Sequence, residues 1–333
     1  RRVLFRSREP IVDGLFYPSE EGELRSLLDK LFLESDTETD RSVSEGAETG
    51  NSVSQKPDAK YAATGDTETE ISRTEHGVNR HTIAERSEIG GFSTGKAVAI
   101  ISPHASYEYS GAIAASAFKS GTEKPVDTVI VIGPVHREPA DKIYLTESAA
   151  FATPLGEIEV DQEINTRLFG YASNMIKNDI PHLEEHCIEV QLPFIQYLFP
   201  KVKIVPILIG KASIKNAVAL SKALRTALDA SLEKTLFVIS SNMSSCSGEQ
   251  NKQYSFEQLL ELIRTKKWKE IAEPAAKHRI PCCGAGGIAT VLALLGNNVH
   301  IEVKETGNSS RYSNNDDSIV YYAGISFIQQ GTI

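Results

Sequence analysis

AVAIISPHASYEYSGAIAASAF (97–118) opens on a short apolar run, turns at Ser102-Pro103-His104, and passes into small-residue material with helical character. The cycle recurs along the chain. DTVIVIGPVHREP (127–139) reads as strand, Gly-Pro turn and loop. KVKIVPILIG (201–210) is a further strand, with a helix following through Asn216 to Leu232, and TLFVISSNMSS (235–245) is another. Phe256 to Glu273 and Gly284 to Leu295 read as helices, and HIEVKE (300–305) and IVYYAGISFIQ (319–329) as closing strands. Strands alternating with helices predict an α/β fold: a single domain with a mixed, mostly parallel sheet flanked by helices.

Upstream of this core, GLFYPSEEGELRSLLDKLF (14–32) places apolar residues at Leu24, Leu27, Leu28, Leu31 and Phe32 behind Ser19, a candidate N-cap. That spacing predicts one helix with a buried face, ending near Leu33. Glu34 to Gly95 has a different character, rich in Ser, Thr, Glu, Asp and Gly and without apolar periodicity. Such a segment cannot bury enough surface to offset its ordering entropy, so it is expected to be a disordered insertion, or less readily a functional lid. The domain is expected to span 8–330, interrupted by 34–95, and removal of 36–92 to leave it intact.

The insertion holds most of the net charge. The chain carries −9 at pH 7, and 34–95 contributes 13 acidic and 6 basic residues, a net of −7. The remainder is near neutral and has no basic run, which argues against nucleic acid as a partner. No apolar run is long enough for a transmembrane helix, so no membrane partner is expected. Arg1 to Pro10 lacks the apolar region of a signal peptide. The four cysteines, Cys187, Cys246, Cys282 and Cys283, form neither a CxxC pair nor a disulfide framework. Free thiols in a reducing, cytoplasmic setting are the simpler expectation.

Several strands end in reactive residues: one at His104, one at His136, one at Ser240-Ser241-Asn242. In open α/β sheets ligands sit outside the carboxyl ends of the strands, so these groups are expected along one rim. EEHCIEVQLPF (184–194) adds Glu185, His186 and Glu189 as a polar helical stripe, although spacing alone favours an amphipathic helix with Glu189 in solvent. Two imidazoles can converge on a transition metal, and the third donor is either Cys283 or Glu189. Cys283 precedes a Gly-rich helix start, where a thiol is more readily ionised. It also reads as a small buried residue, and CCGAGG as a phosphate turn, though without the lysine and spacing of a P-loop. His76, His81, His278 and His300 carry no expected role. A hydrolase using Ser240 or Ser241 is disfavoured, because neither serine lies in G-x-S-x-G and no Asp-His partner is evident.

GLFYPSEEGELRSLL, SPHASYEYSG, VIGPVHREP, TPLGEIEVD (153–161), EEHCIEVQLPF, VPILIG, VISSNMS, CCGAGGI and VYYAGISF occur in an order that resembles the Memo family, which includes the bacterial and archaeal proteins called AmmeMemoRadiSam system protein B. That resemblance implies the fold and pocket of class III extradiol dioxygenases of the LigB type, a pocket of the non-haem iron kind. It implies His104, His136 and Cys283 as metal ligands, with Cys283 rather than Cys282 because Gly284 follows it. It makes His186 and Glu189 groups of the pocket or of the layer behind it that orients a ligand. Iron (Fe2+) is the expected metal, with copper or zinc fitting the same donors. The family usually has an acid where this chain has Asn242 and a histidine where it has Ser245; Ser106 and Arg137 also depart from its pattern. The proton-transfer equipment is therefore reduced. Two functions follow as expectations: a dioxygenase-like oxidoreductase acting on an unknown small molecule, or a non-catalytic adaptor binding a peptide or small molecule. The resemblance also suggests radical-SAM and AMMECR-type partner proteins.

Overall fold

The computed structural model describes residues 7–44, 96–137, 140–244, 249–277, 279–312 and 319–330. Residues 45–95 of the expected insertion, and with them His76 and His81, lie outside the described residues, as do Ser245, Cys246 and His278.

The chain opens with strand β1 (Ser7–Arg8) and helix α1 (Glu21–Ser44), then β2 (Ala97–Ser102), α2 (Tyr107–Ser120) and β3 (Thr128–Pro134). Short elements follow: β4 (Ile143–Leu145), β5 (Ala150–Thr153), β6 (Gly156–Glu159), α3 (Gln162–Phe169), β7 (Met175–Lys177), α4 (Asp179–Glu184) and α5 (Leu192–Leu198). Next come β8 (Lys203–Ile209), α6 (Ile214–Leu228), β9 (Thr235–Ser240), α7 (Glu249–Arg264), α8 (Trp268–Ala276) and α9 (Ala285–Leu295). β10 (Val299–Asn308) and β11 (Tyr321–Gln329) close the chain.

The main sheet has eight strands in the order β10-β11-β2-β9-β3-β8-β4-β7, and β1, β5 and β6 form a small second sheet. β2, β9, β3 and β8 run parallel, whereas β10, β11 and β2 are joined antiparallel, as are β4 and β8. The sheet is therefore mixed, with a parallel centre, as the sequence predicts.

Apolar residues at every strand position have two destinations. Along β3, Val129 and Val131 join a core cluster with α1, α2 and α5, while Ile130 and Ile132 join one with α6, α7 and α9. β9 divides the same way, Leu236 and Val238 on one side, Phe237 and Ile239 on the other. The period-2 alternation is real, but both faces are covered, so the strand reads as one continuous apolar run.

Three boundaries differ from the expectation. α1 does not end at Leu33 but continues to Ser44, inside the stretch read as insertion. Extending an existing helix adds one hydrogen bond for each residue ordered, so it can outrun its apolar stripe. The single helix expected over Phe256–Glu273 is two, separated where Lys266 adopts φ 58 and ends α7. The expected polar stripe at Glu185, His186 and Glu189 is not on one helix, because α4 ends at Glu184 and a 3-10 turn begins at Glu189.

Candidate metal centre

β9 lies between β2 and β3 in parallel register, with Ser240 opposite Ser102 and Ile239 opposite Ile132. Their carboxyl ends therefore come out together. His104, His136 and Asn242 each stand just past a strand end on this rim, as the sequence predicts.

Cys283 reaches the same place from the other side. It precedes Gly284, the N-cap of α9. Gly284 N–H donates to Ser241 Oγ at 3.0 Å, and a Cβ on this glycine would stand 2.3 Å from Ser241 Cβ. Only glycine lets the helix start approach the strand end so closely. The approach carries Cys283 Sγ to 3.3 Å from His104 Nε2 and to 3.2 Å from the backbone N–H of Asn242. Nitrogen or sulfur donors of His104, His136 and Cys283 all lie within 4.8 Å of one another. Of the two donors left open in the sequence, Cys283 lies beside the two histidines and Glu189 does not.

The outer nitrogens of both rings are held. Ser240 Oγ donates to the carbonyl of Cys187 at 2.6 Å, so toward His104 Nδ1, at 2.9 Å, it acts as acceptor. His104 is thus protonated on Nδ1 and presents Nε2 inward. Gln191 Nε2 donates to Ser240 Oγ and to the carbonyl of Pro103, fixing the serine in turn. His136 Nδ1 donates to Glu185 Oε2 at 2.7 Å, and the other carboxylate oxygen accepts from the backbone N–H groups of His136 and Arg137. A carboxylate or hydroxyl on the far nitrogen is the support that orients metal-binding imidazoles. His136, Glu185 and His186 also lie within coordination distance of one another. Glu185 is already committed to three donors, so this grouping reads as support around His136.

Charges follow from this packing. Burial opposes ionisation of Cys283, yet the charges of and hydrogen bonds to His104 and His136 outweigh it and bring the thiol down to about 5. Burial likewise opposes the charge on His136, but bonds to Cys283 and Glu185 lift it to about 10. His186 is brought down to about 4 by burial and by His104 and His136, so it is neutral at pH 7. Cys282, next to Cys283, is pushed up by burial and by its neighbour's charge. A soft thiolate with two oriented imidazoles suits iron, copper or zinc, and these residues fit such an ion. The centre opens into a cleft of about 360 Å3 lined by His136, Cys283, Ile209, Lys211 and Gly286. His136 keeps 36% of its side chain exposed, which leaves that flank open to solvent.

The other expected site residues fall differently. His186 is at the centre: its ring centroid lies 5.5 Å from that of His104 and 5.3 Å from that of His136. Asn242 holds rather than titrates, its Oδ1 accepting from His104 N–H at 3.1 Å. Glu189 lies behind the pocket and not in solvent. It is fully buried, forms an ion pair with Arg8, and accepts hydrogen bonds from Ile11 N–H, Val12 N–H and Tyr17 Oη. A carboxylate with so many long-range donors is an anchor for the N-terminal segment. Ser240 and Ser241 are both buried and bonded, the second to Asn242 O and Gly284 N, so neither is placed as a nucleophile. His300 lies on β10, 3.8 Å from Glu302. Gln191 and Arg8 carried no expected role, and Ser240, expected on the rim, was not foreseen as the support of His104. Glu185 was legible only as part of a polar stripe.

The model of the Memo family, described as Memo-like protein, matches residues 77–326. A MEMO1 family protein of Pyrobaculum aerophilum is 30% identical over 240 residues, covering 70% of this chain and 84% of that protein. One from Thermotoga petrophila is 29% identical over 296 residues, covering 88% and 90%. One from Methanobrevibacter smithii is 33% identical over 233 residues, covering 68% and 81%. A crystal structure of an uncharacterised Escherichia coli K12 protein overlaps 68% of this chain and 98% of its own at TM-score 0.43 and 10% identity, too distant a likeness to build on. With its strand-end histidines, its glycine-borne cysteine and a match over most of its length, this chain belongs to the Memo family of Memo-like proteins.

Proposed function

We propose that this chain holds one redox-active metal ion between His104 Nε2, His136 Nε2 and Cys283 Sγ, and that the centre serves an oxygen- or redox-dependent activity on a small molecule entering the cleft. The observation that carries this reading is the pair of imidazoles with Nδ1 engaged by Ser240 and Glu185, turned toward a thiol brought down to about 5. Zinc fits the same donors but carries no redox chemistry, so iron (Fe2+) is the first choice and copper the alternative for a redox-active ion. When bound, such an ion supplies electron transfer and Lewis-acid polarisation to a molecule beside it.

The chain's own residues define the rest. Ser240 and Glu185 keep the two rings from turning, Cys283 offers a negative soft donor, and the Gly284–Gly287 turn lets the cleft wall stand close to it. His186 offers a neutral imidazole at the rim. Asn242 cannot take up a proton as an acid in its place would, and its amide is spent on His104.

Asn242 also favours a second reading, an adaptor whose cleft binds a peptide or small molecule without turnover. One measurement separates the two. Protein purified under low oxygen is analysed for metal beside the His104→Ala/His136→Ala variant, then exposed to oxygen or peroxide. Near-stoichiometric metal in the parent alone, with a redox-linked spectral change, is the expected result. Two equally folded, metal-free proteins would sink the metal reading. A metal-loaded protein without spectral change would leave the adaptor.

A further inference from the structure

Arg8 lies outside the stretch matched to the family and far in sequence from every metal-centre residue, yet it is 1% exposed and reaches the backbone behind the site. Its guanidinium makes three bonds. Nε donates to His182 O at 2.7 Å, Nη2 donates to Glu185 O at 3.0 Å, and Nη1 pairs with the carboxylate of Glu189. The first two acceptors lie at the C-terminal end of α4, where backbone carbonyls lack partners in their own helix. The third stands on the 3-10 turn that follows.

One planar fork therefore pins both ends of a short span. Between the pins lie Glu185, the acceptor for His136 Nδ1, and His186, whose ring stacks on that of His136 at an interplanar angle of 17°. The clamp is also rooted in the N-terminal segment, since Glu189 accepts from Ile11 N–H, Val12 N–H and Tyr17 Oη. That segment supplies the Phe16 ring edge that packs on His186, with centroids 5.0 Å apart. Burying a guanidinium and a carboxylate is costly unless they are bonded, and here each guanidinium nitrogen and each carboxylate oxygen has a partner.

We infer that Arg8 is a positioning residue for the metal centre: with Glu189 it locks the span from His182 to Glu189, so that Glu185 holds His136 with Nε2 turned inward. Its importance to metal binding rests on the function proposed above, but the positioning itself does not. Lysine at this position keeps the charge opposite Glu189 but cannot reach both carbonyls with a fork.

The test uses the full chain without metal, and reads the His136 Nδ1–H signal by 15N NMR, assigned by its loss in Glu185→Gln. Wild type is expected to show a slowly exchanging, downfield ring proton. Arg8→Lys is expected to lose that protection while its circular dichroism stays native. Glu189→Gln, which preserves side-chain shape, is expected to weaken it in the same direction. Leu224→Ala, in the core on the other face of the sheet, destabilises the fold without touching the clamp and should retain it. An unchanged signal in both folded clamp variants overturns the inference, as does absence of the signal from wild type. A parallel Co2+ titration expects about tenfold weaker binding by Arg8→Lys, at the lower end of what loss of outer support costs. Failure of wild type to bind Co2+ would remove the proposed function, while the NMR result would still decide the clamp.

Discussion

Cys283 and Cys282 are neighbours in sequence with opposite chemistry. The first faces two imidazoles, which bring it down to about 5, and the second is buried among apolar groups and pushed up. Alkylation is therefore expected to be selective. The thiolate is the reactive form, so with iodoacetamide the rate at Cys283 in metal-free protein should rise with pH through about 5 and stay level above it. Cys282 and Cys187, both buried, should remain unlabelled across that range. Peptide mapping of the labelled protein at pH 4 to 8 checks this, and an inflection near the ordinary thiol value would contradict the pairing. The same asymmetry governs metal binding. Cys283→Ala is expected to weaken it beyond the roughly 10–100-fold that loss of outer support costs, and Cys282→Ala to leave it nearly unchanged. Equal losses in a chelator competition would show that the wrong thiol had been chosen. His136 adds a proton: held up to about 10, it must be displaced when a metal binds at pH 7. Calorimetry in buffers of different ionisation heat should show that release.

At the scale of elements, the centre depends on how closely α9 approaches the end of β9. Gly284→Ala places a methyl group 2.3 Å from Ser241 Cβ, and neither backbone has room to yield without moving Cys283 or Asn242. Such overpacking typically costs about 1–3 kcal/mol. The variant is expected to lose that much in urea denaturation and to bind metal more weakly. A variant of full stability and affinity would mean that the helix start is more pliable than this packing implies. Both strand-end histidines were legible in sequence, because each sits at the border of an apolar run and a turn, whereas Cys283 was one of two open candidates until the family resemblance favoured it. Glu185 and Glu189 were not separable. Four residues apart on what read as one polar stripe, they point to different places because α4 ends before either, leaving Glu185 at its C-cap and Glu189 on the 3-10 turn that follows. The short strands β4 to β7 carry too few residues for their periodicity to stand out.

For the whole molecule, stability and the centre are expected to be separable. Leu224 is fully buried on α6, within the cluster that packs one face of the sheet. Leu224→Ala should cost about 2–5 kcal/mol through lost burial and the cavity left behind. Metal stoichiometry should be unchanged at temperatures where the variant remains folded, because His104 and His136 follow strands β2 and β3, and Arg225, next to Leu224, bonds Leu294 O at the end of α9 opposite Cys283. Thermal denaturation with metal analysis of the folded fraction checks both parts; metal lost along with stability would show the rim to be coupled to the α6–α9 layer.

Local pattern was enough for the class of fold, the parallel centre of the sheet, and the rim on which His104, His136 and Asn242 stand. Apolar runs and turn residues are short-range signals, and the carboxyl ends of parallel strands must share an edge. Contacts between residues distant in sequence decided the remainder. Glu189 became an anchor because Arg8, 181 residues away, meets it in the interior. Cys283 rather than Glu189 reaches the two histidines because α9 returns against β9. Nothing in the chain near either residue encodes those meetings: they exist only once the layers have packed and each buried charge has found its partner.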